Sequence, residues 1–388
     1  MTQKIKLLFI ANAYSTHTHS WVELIQDPRF DIRLFGIENS VPPDSFTIPT
    51  YAFRRAFPDV PFDQQTELAW LAKIIQDWQP DVIHTLGFYN ASFHYLETRK
   101  RNRPAAVGKW VVTSRGGPEL ALNRLLVDEA PRLQEVLCNC DQFIADNRQN
   151  YDYAIDLGLE PAKVSPIGIA PGTGGIDITA MGALAQGLPS QRKRVILWPK
   201  AYECPASKAL PVFEALRLCY EEIAPCQIFM TAMCSEAVMW FQTLPQTLRE
   251  SCCCLEDRMP RGELLRLMGM SRVMLAPSLI DGIPNSLYEA MATGAFPVVS
   301  PLDTITTVIN ENNALFARNL YPDEIARVLV KAMNDDDRVD RGAQLNRSLV
   351  ARIANREIIR EKVTNNYLSL ATTPQSFSNR GANAFHPD

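Results

Sequence analysis

Asp281 and Glu289 stand on either side of Pro284-Asn285-Ser286, inside the stretch APSLIDGIPNSLYEAMATGAFPVV that runs from Ala276 to Val299. Asn and Ser at the head of an apolar run can accept hydrogen bonds from amides that a helix leaves free in its first turn, so the triplet predicts a helix start. Those N–H groups lie at the positive end of the helix dipole and suit a phosphate. The chemistry to expect is binding of a phosphorylated ligand with two acids beside it. Positioning it takes a strand over Arg272–Ala276, a helix over Leu287–Thr293, a stop at Gly294 and a second strand over Ala295–Val299. That sequence of elements is half of a parallel βαβ unit. Two acids at this spacing are a weak motif alone; the surrounding residues give them weight.

In those surroundings the stretch resembles the donor-site signature of family 4 retaining glycosyltransferases, which have the GT-B fold. Asp281, seven residues, Glu289, Ala290-Met291-Ala292 and Gly294-Ala295-Phe296-Pro297-Val298 follow that signature. Asp stands where Glu is commoner, so its reach is one methylene shorter. The resemblance implies that Asp281 contacts hydroxyls of a donor sugar and Glu289 holds the nucleotide ribose. It places Gly282, Asn285, Ser286 and Leu287 at the nucleotide, with Arg258 near its base. Lys200 and Lys208 fall where the family directs cations at the donor diphosphate. In the first half His17, Thr18, Arg115 and Gly116 fall on loops that face an acceptor. A His common in the family after the strand Trp110–Thr113 is replaced here by Ser114-Arg115, so no role passes through it. The implied reaction is transfer of a sugar from a UDP- or GDP-linked donor to a hydroxyl, with retention and with no metal or other cofactor.

Composition sets the bounds. A chain of 388 residues exceeds what one core usually serves, so two domains are expected. A net charge of −4 lacks the basic footprint that nucleic acid would require. The opening MTQKIKLLFIANA runs straight into a strand and no 18-residue apolar run follows, so a cytoplasmic location is expected. Nine Cys include Cys252-Cys253-Cys254, whose side chains alternate faces on a strand and cannot share one tetrahedral site. With five His scattered at 17, 19, 84, 94 and 386, reduced and mostly buried thiols are expected, Cys138 and Cys140 included.

The remaining elements follow in order. Lys4–Ile10 reads as a buried strand, the polar turn 11–20 leads into a helix from Trp21, and G-x-G-x-x-G is missing, which disfavours a dinucleotide. Leu68, Leu71, Ile74, Ile75 and Trp78 recur at helical spacing, and Asp81-Val82-Ile83-His84 follows as a strand whose His packs or caps. The Gly-rich 171–177 reads as an interdomain hinge or, on weak grounds, a phosphate loop, and Arg347–Leu370 as a long terminal helix. The expected architecture is α/β GT-B: two Rossmann-like domains facing across a cleft, at 1–180 (acceptor) and 191–350 (donor). A helix over 351–370 crosses back to the first domain, and 371–388 is expected to be a disordered tail. The basic run from Arg99 to Lys109 is a solvated helix end or, for a lipid-linked acceptor, a peripheral contact with an anionic membrane. Two alternatives stand beside transfer: a nucleotide-sugar hydrolase or epimerase of the same fold, and a catalytically silent nucleotide-sugar-binding subunit.

Overall fold

The computed structural model describes residues 3–102, 108–255 and 259–372. The first domain is built on seven strands: β1 (Ile5–Ala11), β2 (Phe30–Gly36), β3 (Thr50–Ala52), β4 (Val82–Leu86), β5 (Lys109–Ser114), β6 (Gln142–Ala145) and β7 (Val164–Ile169). They form one parallel sheet in the order β3-β2-β1-β4-β5-β6-β7. The second is built on β8 (Val195–Trp198), β9 (Gln227–Thr231), β10 (Cys252–Leu255), β11 (Val273–Ala276), β12 (Phe296–Val299) and β13 (Leu315–Phe316). Their order, β10-β9-β8-β11-β12-β13, is again parallel throughout. In both sheets the strand order reverses at the first strand of the domain, β1 beside β4 and β8 beside β11. A doubly wound sheet opens a crevice at the carboxyl ends of such strands, because the crossover helices leave there to opposite faces. The near-continuous apolar strands fit this, since helices cover both faces of each sheet.

Four clusters of buried side chains flank the two sheets, one on each face. One of them belongs to the first domain yet contains Ile359, Val363 and Tyr367 from the far end of the chain. The expected single helix over Arg347–Leu370 is in fact two, Asp336–Ile353 and Arg356–Thr372. The break falls where the chain crosses between domains. There Ile176 N–H bonds Ala354 C=O at 2.7 Å and Arg356 N–H bonds Ile176 C=O at 2.9 Å, a bridge that an uninterrupted helix would not allow. The second helix then locks onto the first domain: Tyr367 Oη lies 2.5 Å from His84 Nδ1, and Gln142 and Asn366 exchange amide hydrogen bonds at 3.1 and 2.6 Å. His84 is 1% exposed and packs, but from the middle of β4 and not from the strand end where the sequence placed it, because the strand continues to Leu86.

Two local readings change. The first helix begins at Thr16, not Trp21. Thr18, Trp21, Val22 and Leu24 point into the core at helical spacing, so His17 and His19 belong to its first turns and not to a loop. Cys138 is exposed, because it lies on the outer side of the helix Ala130–Asn139, whereas Cys140 is buried, and neither forms a disulfide. Cys252–Cys254 do form a strand, at the sheet edge. Arg258 and the tail expected over 373–388 lie outside the described residues.

Candidate active site

A cavity of about 700 Å³ lies between the domains, at the carboxyl ends of β1, β4, β5, β6, β8 and β11. The helix Asn285–Thr293 enters it amino end first. Pro284 sits at the cap position and supplies no side-chain hydrogen bond. Leu287 and Tyr288 turn their N–H groups back to Pro284 C=O, at 3.0 and 3.3 Å. The amides of Asn285 and Ser286 precede any intrahelical partner, so they remain for a ligand. Ser286 Oγ is screened from water and has no hydrogen-bond partner. Such an orphan costs stability unless a ligand completes it.

Three cations line this cavity along with the acids. Lys200 follows β8 and holds Asp281 Oδ2 at 2.6 Å. Burial acts to lower the Lys200 pKa, but the charge and hydrogen bond of Asp281 together with Tyr202 and Cys204 outweigh it, and the net displacement is upward. Arg261 opens the helix Arg261–Met270 and holds Glu289 Oε1 at 2.6 Å. Glu289 is 3% exposed; burial raises its carboxyl pKa while Arg261 opposes the rise. The third cation, Arg115, follows β5.

The first-domain wall carries two more carboxyl groups. Asp146, just past β6, accepts the Gly116 N–H at 2.7 Å and Asn147 Nδ2 at 2.8 Å. Burial pushes it up to about 7 against those hydrogen bonds, with Asp281 and Glu119 adding to the rise. Glu119 accepts the N–H groups of Phe88 and Arg115, at 2.9 and 2.8 Å, and is raised by burial. His17 meets Asn285 Nδ2 at 3.4 Å across the cleft. Burial, then the charges of Arg115, Arg261 and Lys200, lower it to about 4, so the imidazole is neutral near pH 7.

The expected site residues therefore divide. Lys200, Asp281, Glu289, Asn285, Ser286, His17, Arg115 and Gly116 all line one cavity. Lys208 is outside that lining: its Nζ is 3.5 Å from Glu203 Oε2, while Glu203 Oε1 accepts the N–H groups of Ala209 and Leu210. The carboxylate thus occupies the start of the helix Leu210–Ile223 and engages the lysine beside it. Thr18 and Leu287 are buried in the packing beneath their helices. Gly282 acts through its lack of a side chain: a Cβ there would come within 2.8 Å of Asp146 Oδ2 and 3.0 Å of Gly116 Cα. Arg261, Asp146 and Glu119 were not singled out from sequence. Only Asp146, placed directly after an apolar strand, had a usable signal there.

Together these groups can hold a polyanion at a helix start and orient hydroxyl groups against buried carboxyls. Among the described residues, no group of three or more His, Cys, Asp or Glu is arranged to hold a metal ion, and no helix is long and apolar enough to cross a membrane.

Comparisons with known proteins agree with this architecture. Residues 243–335 match the family described as glycosyl transferases group 1, and residues 6–117 match glycosyl transferase 4-like. No curated protein matches the chain in sequence. Among solved structures, HepE of Anabaena, in complex with UDP and glucose, superimposes with a TM-score of 0.70 at 12% identity, over 94% of this chain and 100% of that one. Sucrose-phosphate synthase of Thermosynechococcus elongatus gives 0.67 at 13% identity, over 95% and 99%. A UDP-forming α,α-trehalose-phosphate synthase of Burkholderia xenovorans, in complex with glucose-6-phosphate, gives 0.69 at 12%, over 93% and 100%. At such identities the likeness speaks for the fold. The two family matches span the first sheet up to its Gly-Gly turn and the donor-side helix of the second. The chain is a member of the group 1 glycosyl transferases, with the GT-B fold.

Proposed function

We propose that the protein transfers a hexosyl unit from a nucleoside-diphosphate sugar, UDP- or GDP-linked, to a hydroxyl acceptor, with retention at the anomeric carbon. The observation that carries this reading is the uncapped start of the helix Asn285–Thr293, opening with an unpartnered Ser286 hydroxyl onto a cavity that also holds Lys200 and Glu289. The nucleotide lies on the second domain, its ribose on Glu289 and its diphosphate at Asn285, Ser286 and Lys200. The acceptor enters from the first domain, past His17 and Gly116. Catalysis is stabilisation of charge on the departing diphosphate. Lys208 joins it only by exchanging its pairing with Glu203. A panel of nucleotide sugars read by thermal shift tests donor binding, since a ligand at ~100 times its Kd adds ~2.7 kcal/mol. Donor incubated with water alone separates transfer from hydrolysis or epimerisation.

The charge on the diphosphate is met here by side chains and a helix dipole. Activity is therefore expected to persist in EDTA, and loss on chelation with recovery in Mg²⁺ or Mn²⁺ would refute metal independence. A lipid-linked acceptor would bring the basic run from Arg99 to Lys109 toward a membrane. Of its described charges, Lys100 and Arg101 already pair with acids at 2.6 and 3.2 Å and Lys109 with Asp141 at 3.2 Å. Arg99 has no acid partner among the described residues and lies over the rings of Tyr95 and Trp110.

The two acids should separate in binding experiments. Glu289→Ala removes hydrogen bonds to a charged group worth ~1.5–3 kcal/mol and should weaken the nucleoside diphosphate itself. Asp281→Ala releases Lys200 and should hold or improve affinity for the nucleotide while impairing the intact sugar donor. Calorimetric titration of both variants checks this, and equal weakening of the bare nucleotide would count against the assignment.

A further inference from the structure

Lys200 and Arg261 enter the cavity already paired with Asp281 and Glu289. Arg115 is different. Its Nε and Nη2 are screened from water and donate to nothing, and among the described residues no carboxylate lies within ion-pair distance of it. Its backbone N–H, not its guanidinium, is what Glu119 receives. The guanidinium lies 5.9 Å from the centre of the Trp21 ring, an apolar surface that fixes it without satisfying its donors. Burial lowers its pKa to about 10, which leaves it charged at neutral pH.

Its position is as informative as its missing partners. A methyl group placed on Gly172 would be 3.6 Å from Asn285 Nδ2 and 4.0 Å from Arg115 Cδ. The arginine of one domain and the helix start of the other therefore approach the same backbone position. The two walls hold complementary vacancies: guanidinium donors from the first domain, and the Ser286 hydroxyl with its helix amides from the second. The other two cations are held in direct ion pairs with acids, whereas Arg115 feels Glu119 and Asp146 only at longer range and keeps its guanidinium donors unpaired.

We infer that Arg115 receives the diphosphate of the nucleotide across the cleft, so that one polyanion is held by both domains at once. The inference rests on the nucleotide-sugar reading above and adds to it a first-domain residue that a sugar-donor site confined to the second domain would not contain. A guanidinium can take two phosphate oxygens in parallel, which fixes orientation as well as charge.

The test is calorimetric titration of UDP, GDP and inorganic pyrophosphate into the wild-type protein, Arg115→Met and Arg115→Lys, with thermal melts of each ligand-free protein. Arg115→Met should weaken the nucleoside diphosphate at least tenfold, and Arg115→Lys should recover part of the loss. The ligand-free melting temperature of Arg115→Met should not fall, because the variant removes a half-buried charge that has no ion pair and whose screened donors have no hydrogen bond. If that variant does not fold, Arg115→Gln takes its place. Wild-type binding that is unchanged in the folded variant overturns this inference alone. A wild-type protein that binds none of the three probes overturns the nucleotide-sugar reading together with it.

Discussion

Lys200→Ala is expected to lower kcat about a hundred- to thousandfold at saturating donor, with the fold intact. Removing one preorganised electrostatic contact to developing charge typically costs ~2.7–4 kcal/mol. Here the loss has two parts. The ammonium no longer faces the departing diphosphate, and Asp281, 2.6 Å away in the wild type, is left as an unpaired carboxylate beside that same charge. Removing one member of a partly buried pair commonly costs more than removing both. The double variant Lys200→Ala/Asp281→Ala should therefore be less impaired in nucleotide binding than Lys200→Ala alone. Lys200→Arg should recover part of the rate, because the charge remains while the donor geometry changes. Steady-state kinetics with circular dichroism as a fold control decide the matter. A near-wild-type rate for Lys200→Ala would remove this residue from the site.

Gly117→Val should cost about a hundredfold in kcat/KM without melting either domain. A Cβ at this position would lie 2.7 Å from the carbonyl carbon of Asp281 and 2.7 Å from Ile280 Cγ2. The first of these is backbone and cannot swing aside, so the two walls must separate. Gly282 makes the reciprocal contact with Gly116. Displacement of about 1 Å between reacting groups is enough for a loss of this size. Because the two sheets keep their own cores, the melting temperature should move little. Small-angle scattering should report a more open molecule in solution. Full activity in Gly117→Val would mean that the Gly116–Gly117 turn need not touch Asp281–Gly282 during turnover. Gly117→Ala, with less bulk, should fall between.

Both expectations depend on contacts between parts of the chain far apart in sequence, which separates the legible from the hidden in this protein. Short-range information was enough for the elements. Apolar runs such as Lys4–Ile10 and Ala295–Val299, short and bounded by turn residues, read as buried strands, and Pro284-Asn285-Ser286 before an apolar run reads as a helix start. Strand alternating with helix then implies two doubly wound sheets, so the cavity had to form at the carboxyl ends of their strands. Asp281, Glu289, Asn285 and Ser286 were recognisable because the short stretch that carries all four resembles the family's donor-site signature.

Pairing was not legible, because it depends on which side chains meet across the cleft. Lys200 and Lys208 look alike in sequence, yet one faces Asp281 in the cavity and the other is held by Glu203 outside its lining. Arg261 meets Glu289 only because two helices of the second domain converge there. Burial pushes the Asp146 carboxyl up to about 7, a property of the tertiary structure and not of its neighbours in the chain. The long terminal helix broke at Ala354-Asn355 for the same reason: the bridge to Ile176 comes from residues roughly half a chain away. Sequence by itself determined where a phosphate could be held; only the tertiary structure decided which charges are left free to hold it.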